Sequence, residues 1–588
     1  MERTPVRHFE QREAGSQTAA KAALRNTAAM LIAACLLSRG VAGTPAPPGT
    51  AGTGAVASAA PAATAVGLDI LGAGGNAVDA AVATALALAV VHPSAGNLGG
   101  GGFAVVRMAG RVATIDFRET APAAATVGMF LGADGRPDPQ RSLVGPLAAG
   151  VPGSPAGLFE LHRRFGRLPW PAVVAPAARL AGEGFVVTPR LSRSVAAACP
   201  LLARFPETGA VWCPAGQAPA AGTVLRLPPL AATLRSYAER GPDVLTGGAG
   251  AAAIARCAQS HGGILTAADL AAYRPVWREP VAFVAFGWNV ASMSLPSSGG
   301  IIMAETTGML ERLGWSRRPI GSADRVHLLA EAWRRAFADR FLLGDPAATL
   351  ADPERLLDPA WLDRRAGGID AARATKSDAV RPWHADLGHD SRETTHLSVV
   401  DGDANAVSLT TTLNGGFGCG LLVPEIGILL NNEMDDFASA PGTPNLYGLV
   451  QGAANAVGPG KRMLSSMAPA VAWRGDEVLA LGSPGGSQIP TATVQALLSV
   501  IVDGEPLQAA VDRPRVHHQW LPDALVAEDG ALSEGVRMEL IRRGHVVRRA
   551  EDIGEVDAAR RTARGVLEAA ADRRGPGAAG VADGPHRQ

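Results

Sequence analysis

Two adjacent hydroxyl residues, Thr394 and Thr395, lie in the stretch Arg392-Glu393-Thr394-Thr395-His396-Leu397-Ser398-Val399-Val400, whose composition could carry nucleophilic chemistry. From Thr395 to Val400, β-branched and apolar residues occur at strand density, Asp401-Gly402-Asp403 supplies a turn, and Asn405 to Leu413 makes a return strand. The pattern predicts a β-hairpin with threonine at its leading end. Threonine favours strands, so a Thr-Thr pair read alone is ordinarily structural. As a nucleophile its hydroxyl is weak, and a chain cut just before it frees an α-amino group that can act as its base. That amine suits the task, with an unperturbed pKa of about 7.7 to 8.0.

The downstream text gives the hairpin chemical meaning. Thr410-Thr411-Thr412-Leu413-Asn414-Gly415-Gly416-Phe417-Gly418 is followed by Leu429-Leu430-Asn431-Asn432-Glu433-Met434-Asp435-Asp436-Phe437 and Pro441-Gly442-Thr443-Pro444-Asn445. Leu464-Ser465-Ser466-Met467 and Gly482-Ser483-Pro484-Gly485-Gly486-Ser487 complete the series. Together these blocks resemble the small subunit of the γ-glutamyltransferase family, N-terminal-nucleophile hydrolases that cleave themselves before a threonine. The resemblance implies cleavage between Glu393 and Thr394, with Thr394 the nucleophile and Thr412 orienting its hydroxyl. Asn414, Glu433 and Asp436 match groups that receive a substrate α-ammonium, and Ser465 and Ser466 match serines that assist with its α-carboxylate. Gly485 and Gly486 match the oxyanion-hole amides, where glycine lets the main chain approach developing negative charge. Tyr447 lies in a segment, 441–452, that resembles a lid loop.

Upstream, Ile115-Asp116-Phe117-Arg118-Glu119-Thr120-Ala121-Pro122 resembles the family block whose arginine holds the α-carboxylate. A lone arginine at a strand end is usually a solvated charge, but guanidinium also grips carboxylate with two parallel hydrogen bonds. An amino-acid head is a zwitterion, so Arg118 on one side and Asp436 on the other meet its demand.

Several elements must position these groups. Asn76 is a good N-cap for an almost wholly apolar helix running to Val91, with Asp79 placed to complete a capping box. Strands are expected at 104–108 and 113–117, and helical stretches at 156–165, 170–182, from 301 onward and at 326–345. The glycine run Gly99-Gly100-Gly101-Gly102 lacks both dinucleotide spacing and a following Lys-Ser/Thr, so close backbone packing explains it better than a phosphate. Gly458-Pro459-Gly460-Lys461-Arg462 fails the same test. No stretch within 120–380 shows the clustered acids or histidines of a metal site, and His517 and His518, adjacent on a strand, point to opposite faces.

Lys plus Arg equals Asp plus Glu at 54 each, so no overall field favours nucleic acid. Residues 1–43, with Arg25 ahead of a short apolar run at 28–37, read as a secretory signal; Ile32-Ala33-Ala34-Cys35 also fits a lipoprotein box. A run that short cannot anchor across a bilayer. Residues 44–64 read as a linker, 65–393 as a large subunit and 394–588 as a small one, with the tail beyond about 575 weakly matched and open to disorder. The match weakens after about residue 550, where Arg573 stands in place of an expected proline, and Ala60 stands in place of histidine. Of five cysteines, Cys199 and Cys213 could close a short loop in an oxidising compartment.

The family implies an α/β (α+β) fold, a four-layer αββα sandwich formed jointly by two autoproteolytic fragments that remain as a heterodimer. It also implies cleavage of γ-glutamyl amides such as glutathione, transfer to water, an amino acid or a dipeptide, no cofactor or metal, and a periplasmic or secreted location. Two alternatives remain open from sequence: a glutaryl or cephalosporin acylase on the same scaffold, and an inactive periplasmic amino-acid-binding protein.

Overall fold

Thr395–Asp401 and Ala406–Thr412 pair antiparallel as the expected hairpin, Leu397 opposite Leu409 and Ser398 opposite Ser408. They lie at the centre of a computed structural model that describes residues 52–349, 352–380, 394–440, 442–443 and 445–583. In chain order the strands of its two large sheets are β1 (Gly54–Ser58), β2 (Gly101–Met108), β3 (Arg111–Asp116), β4 (Val276–Arg278), β5 (Val281–Ala285) and β6 (Trp288–Ser292). After Thr394 come β7 (Thr395–Asp401), β8 (Ala406–Thr412), β9 (Ala470–Arg474), β10 (Glu477–Gly482), β11 (Asp557–Arg561), β12 (Leu567–Ala571) and β13 (Ala578–Ala582). The first sheet has the spatial order β13-β1-β7-β8-β2-β3-β4, the second β12-β11-β10-β9-β6-β5, and every pairing is antiparallel. Each sheet mixes strands from before and after Thr394, so neither half of the chain completes a sheet alone.

Strand alternation fixes the layers, because successive side chains face opposite ways. Odd-numbered Leu397, Val399, Val407 and Leu409 pack with Val56, Ala104 and Val106 against helices α1 (Pro61–Gly72) and α2 (Ala77–Val91). Even-numbered Val400 and Ala406 pack inward with Ala55 and Val105 against Ala291, Val471, Val478 and Ala480 of the second sheet. Two serines of that inner face bond across the gap: Ser398 Oγ donates to the Asp557 carbonyl and Ser408 Oγ to that of Leu481. On the far side, Ala470, Ala472, Leu479 and Leu481 meet helices α3 (Gly299–Arg312), α4 (Ala323–Arg340) and α5 (Ile489–Ile501). The expected four-layer αββα sandwich is therefore present. Each fully buried leucine or valine in these layers contributes about 1.5–3 kcal/mol, so alternation itself holds the register.

The Asn76 cap is observed: its Oδ1 accepts from the Val78 and Asp79 amides, and Asp79 Oδ2 accepts from the Asn76 amide at 2.9 Å. Two expectations are corrected. Residues 54–58, read as part of a linker, form β1, buried between β7 and β13, and Pro61 opens α1. The tail beyond 575 supplies β13, paired with β1 along its whole length. Small residues misled the composition reading, yet this strand needs them: a Cβ at Gly54 would meet Leu71 at 2.7 Å. Residues 1–43, the first part of the linker and Glu393 lie outside the described residues. Cys199 and Cys213 form a disulfide, 14 positions apart.

Candidate active site

Thr394 immediately precedes β7, and Thr411 pairs with Thr395, so the next register step sets Thr412 opposite Thr394. Alternation turns both side chains toward the second sheet. There β10 ends and Gly485-Gly486 leads through a short 3-10 turn into α5. Gly485 and Gly486 have φ of 126° and 55°, a region that favours glycine. The positive end of the α5 dipole therefore faces the ends of the central strands.

One cleft is lined by Arg118, Thr394, Thr412, Asn414, Glu433, Asp436, Tyr447, Ser465, Ser466 and Gly486. Of the residues expected at the site, only Gly485, which adjoins Gly486, and the undescribed Glu393 are not on its wall. Its volume is about 20 Å³, room for a single water. A much larger cavity, about 750 Å³, beside Phe341, Leu342 and Trp361 has no hydroxyl or thiol on its wall among the described residues. Size therefore does not locate the chemistry.

Arg118 is 1% exposed at the end of β3, its Nη1 paired with Glu433 and its Nη2 with Asp436. The two acids lie three residues apart in the 3-10 turn Glu433–Asp436, which sets both against the guanidinium. Burial opposes the Arg118 charge, but Glu433 and Asp436 outweigh it and raise its pKa. Burial also pushes the Glu433 carboxyl well above its ordinary range and raises Asp436, each against the pull of Arg118. Glu119 is buried with both oxygens unpartnered, and burial pushes it up to about 8 despite Arg118 beside it.

Several cleft atoms are buried and unpartnered among the described residues: Asn414 Oδ1, Glu433 Oε2 and Ser466 Oγ. Asn414 holds a left-handed φ of 70°, with its amide donating to Thr412 Oγ1 at 2.8 Å and its Nδ2 to the Asn432 carbonyl at 3.0 Å. Over the cleft, Tyr447 Oη donates to the Asn414 carbonyl at 2.6 Å, and a Cβ at Gly486 would meet the Tyr447 ring at 2.3 Å. Tyr447 therefore seats its aromatic ring on the cleft.

Sequence reasoning missed the groups that fix Asp436. Asn445 Nδ2 donates to Asp436 Oδ1 at 2.6 Å, while Gln451 Nε2 and Asn455 Nδ2 donate to its carbonyl at 2.8 and 2.6 Å. Their only signal is amide side chains within twenty positions of Asp436, without periodicity. Also missed was Tyr273, whose hydroxyl donates to the Arg118 carbonyl at 2.8 Å. His396 sits between Thr410 and Ser398, at 2.9 and 3.0 Å, and burial lowers its pKa to about 3, so it stays neutral.

No metal-type cluster is expected within 120–380, and the fold brings two residues of that range together with a third from outside it. His327 and Glu331, one turn apart on α4, meet His545 with ligand atoms within 4.8 Å of one another. Those atoms are already engaged: His327 bonds His545 and the Asp370 carbonyl, each at 2.8 Å, and Glu331 accepts from Arg335 at 2.7 Å and the Thr375 amide at 3.0 Å. Arg334 also pairs with Glu331, and two guanidiniums beside one carboxylate repel a further cation.

A family model described as gamma-glutamyltranspeptidase matches residues 63–582. The glutathione hydrolase proenzyme of Escherichia coli is 43% identical over 525 residues, 89% of this chain and 90% of that one. The acylase ACY 1 proenzyme of a Pseudomonas species (strain SE83) is 38% identical over 535 residues, 89% and 92% of the two chains. Among solved structures, the cephalosporin acylase of Bacillus halodurans superposes with a TM-score of 0.79 at 29% identity, covering 91% of this chain and 97% of its own. The chain belongs to the γ-glutamyltranspeptidase family.

Proposed function

We propose that the protein is a self-processing γ-glutamyltransferase and glutathione hydrolase. The observation that carries this reading is the convergence, in one cleft, of a hydroxyl pair, a glycine turn at a helix start and a compensated Arg–acid cluster with unpartnered acceptors. In the precursor, Thr394 Oγ attacks the Glu393 carbonyl, the acyl group moves from nitrogen to oxygen, and water hydrolyses the ester. Glu393 keeps a carboxylate and Thr394 gains a free α-amine.

In turnover that amine takes the Thr394 hydroxyl proton as Oγ attacks the γ-carbonyl. The amides of Gly485 and Gly486 hold the oxyanion, the proton passes to the departing amine, and a γ-glutamyl ester remains. Water, an amino acid or a dipeptide then takes the acyl group. Thr412 orients Oγ, and Tyr447 with its segment must swing aside for a substrate to enter. Asn414 Oδ1, Glu433 and Asp436 receive the α-ammonium, while Arg118, Ser465 and Ser466 receive the α-carboxylate. The zwitterion thus inserts between ion-pair partners that neutralise one another in its absence. A glutaryl group carries no ammonium and would leave the acids uncompensated, which favours γ-glutamyl donors over the acylase reading.

The reading extends to location. A disulfide forms and persists in oxidising compartments, which supports export by the 1–43 segment to the periplasm or beyond. Among the described residues no helix is long and apolar enough to cross a membrane.

N-terminal sequencing of the purified protein tests the central claim: a fragment beginning at Thr394 is expected, and an active, uncut chain refutes it. Thr394→Ala is expected to remain one chain and to lose γ-glutamyl anilide hydrolysis by at least about 10³-fold, as when a nucleophile is removed. Comparable rates on γ-glutamyl and glutaryl anilides would instead favour the acylase.

A further inference from the structure

Arg340 ends α4 and is 2% exposed. Its Nε donates to Ser298 Oγ at 3.0 Å, and its Nη1 has no hydrogen-bond partner among the described residues. The charges that act on it are those of Asp436 and Arg118, both on the cleft wall. Ser298, in turn, donates twice to the Ser465 carbonyl, from Oγ at 2.8 Å and from its amide at 2.9 Å. The adjacent Ser466 Oγ lines the cleft unpartnered. A guanidinium buried this deeply with a donor unused is costly, unless an anion arrives to complete its surroundings.

We propose that Arg340 is a positioning residue of the donor pocket: acting through Ser298 it holds Ser465-Ser466 against the cleft, and its charge selects donors that carry an α-carboxylate. The inference rests on the γ-glutamyl reading and deepens it. A single hydroxyl joins the two functions, since Ser298 Oγ accepts from the guanidinium while donating to the segment that meets the substrate. Nothing in the family-like blocks marks Arg340, because it lies 54 positions before Thr394 in a helix whose periodicity reads as core.

The test compares wild type with Arg340→Gln, Arg340→Lys and Ser298→Ala. Its readouts are KM and kcat for a γ-glutamyl anilide and the inhibition constants of glutamate and of its α-carboxamide. For R340Q, KM and the glutamate inhibition constant are expected to rise about tenfold, the loss of one charge-assisted hydrogen bond. In the same variant kcat and the carboxamide constant should stay within about twofold, R340K should recover part of the preference, and S298A should lose part of it. Equal losses for glutamate and its carboxamide, or an unchanged preference in R340Q, overturn the proposal. If R340Q fails to yield folded protein, R340K and S298A decide, and wild-type preference in both overturns it. A wild type inactive on the anilide overturns the γ-glutamyl reading and this inference with it; an active wild type with unaltered variants overturns the inference alone.

Discussion

At the scale of single residues, a buried acid beside Arg118 responds to pH. Glu119 is protonated in the folded protein up to about pH 8, whereas an exposed glutamate ionises near 4.5. Its folded pKa is raised, so its stabilising effect is complete below the unfolded value and is lost as pH climbs from 4.5 to 8. Glu119→Gln keeps the shape and removes the titration, so the variant's Tm should fall less than the wild type's between pH 5 and pH 8. Parallel slopes for the two proteins would show that Glu119 is not the titrating group. Gly486 makes a second case, because it combines a left-handed φ of 55° with the Tyr447 ring 2.3 Å from where a Cβ would sit. Gly486→Ala should keep the hairpin, displace the turn and lower kcat about 10²–10³-fold, the usual cost of one oxyanion donor. Turnover within twofold of wild type would show that this amide does not meet the oxyanion.

At the scale of elements, β1 and β13 show how a strand of small residues can hold a sheet edge. Their five registered pairs lie beside β7, which leads directly from Thr394. Ending the chain at Gly577 would leave the outer edge of β1 without its ladder. Such a truncation is expected to lower Tm by several degrees and, through β7, to slow formation of the Thr394 fragment. An unaltered Tm with normal cleavage would mean that β13 is dispensable to the hairpin. The 3-10 turn at Glu433–Asp436 is the complementary device, short enough to fix two acids on one guanidinium and held from behind by Asn445, Gln451 and Asn455.

At the scale of the whole molecule, both sheets draw strands from the two sides of Thr394, so cutting one peptide bond leaves every layer intact. The fragments are therefore expected to copurify and to separate only on denaturation. The Cys199–Cys213 disulfide lies outside the two sheets, joining the helix Pro189–Leu202 to the end of Pro206–Trp212. A loop of this length contributes about 3 kcal/mol on a chain-entropy basis. Cys199→Ser should therefore lower Tm by a few degrees while leaving γ-glutamyl turnover near wild type, and a reductant should change wild type but not the variant.

By itself the sequence determined the hairpin and the capped helix at Asn76, because each is written locally as alternation or a cap, whereas the cleft residues were named only through the resemblance of their blocks to a known family. It could not determine β1 or β13, since Gly-Ala-Val-Ala-Ser and Ala-Ala-Gly-Val-Ala carry almost no hydrophobic signal until partners close on them. Only the tertiary structure decided that Arg118 is paired with both acids, that Asn445 and Asn455 support Asp436, and that His327, Glu331 and His545 meet. The physical reason is common to all of these: a hydrogen bond or ion pair between residues far apart in the chain depends on distances set by packed layers, and sequence spacing does not encode them.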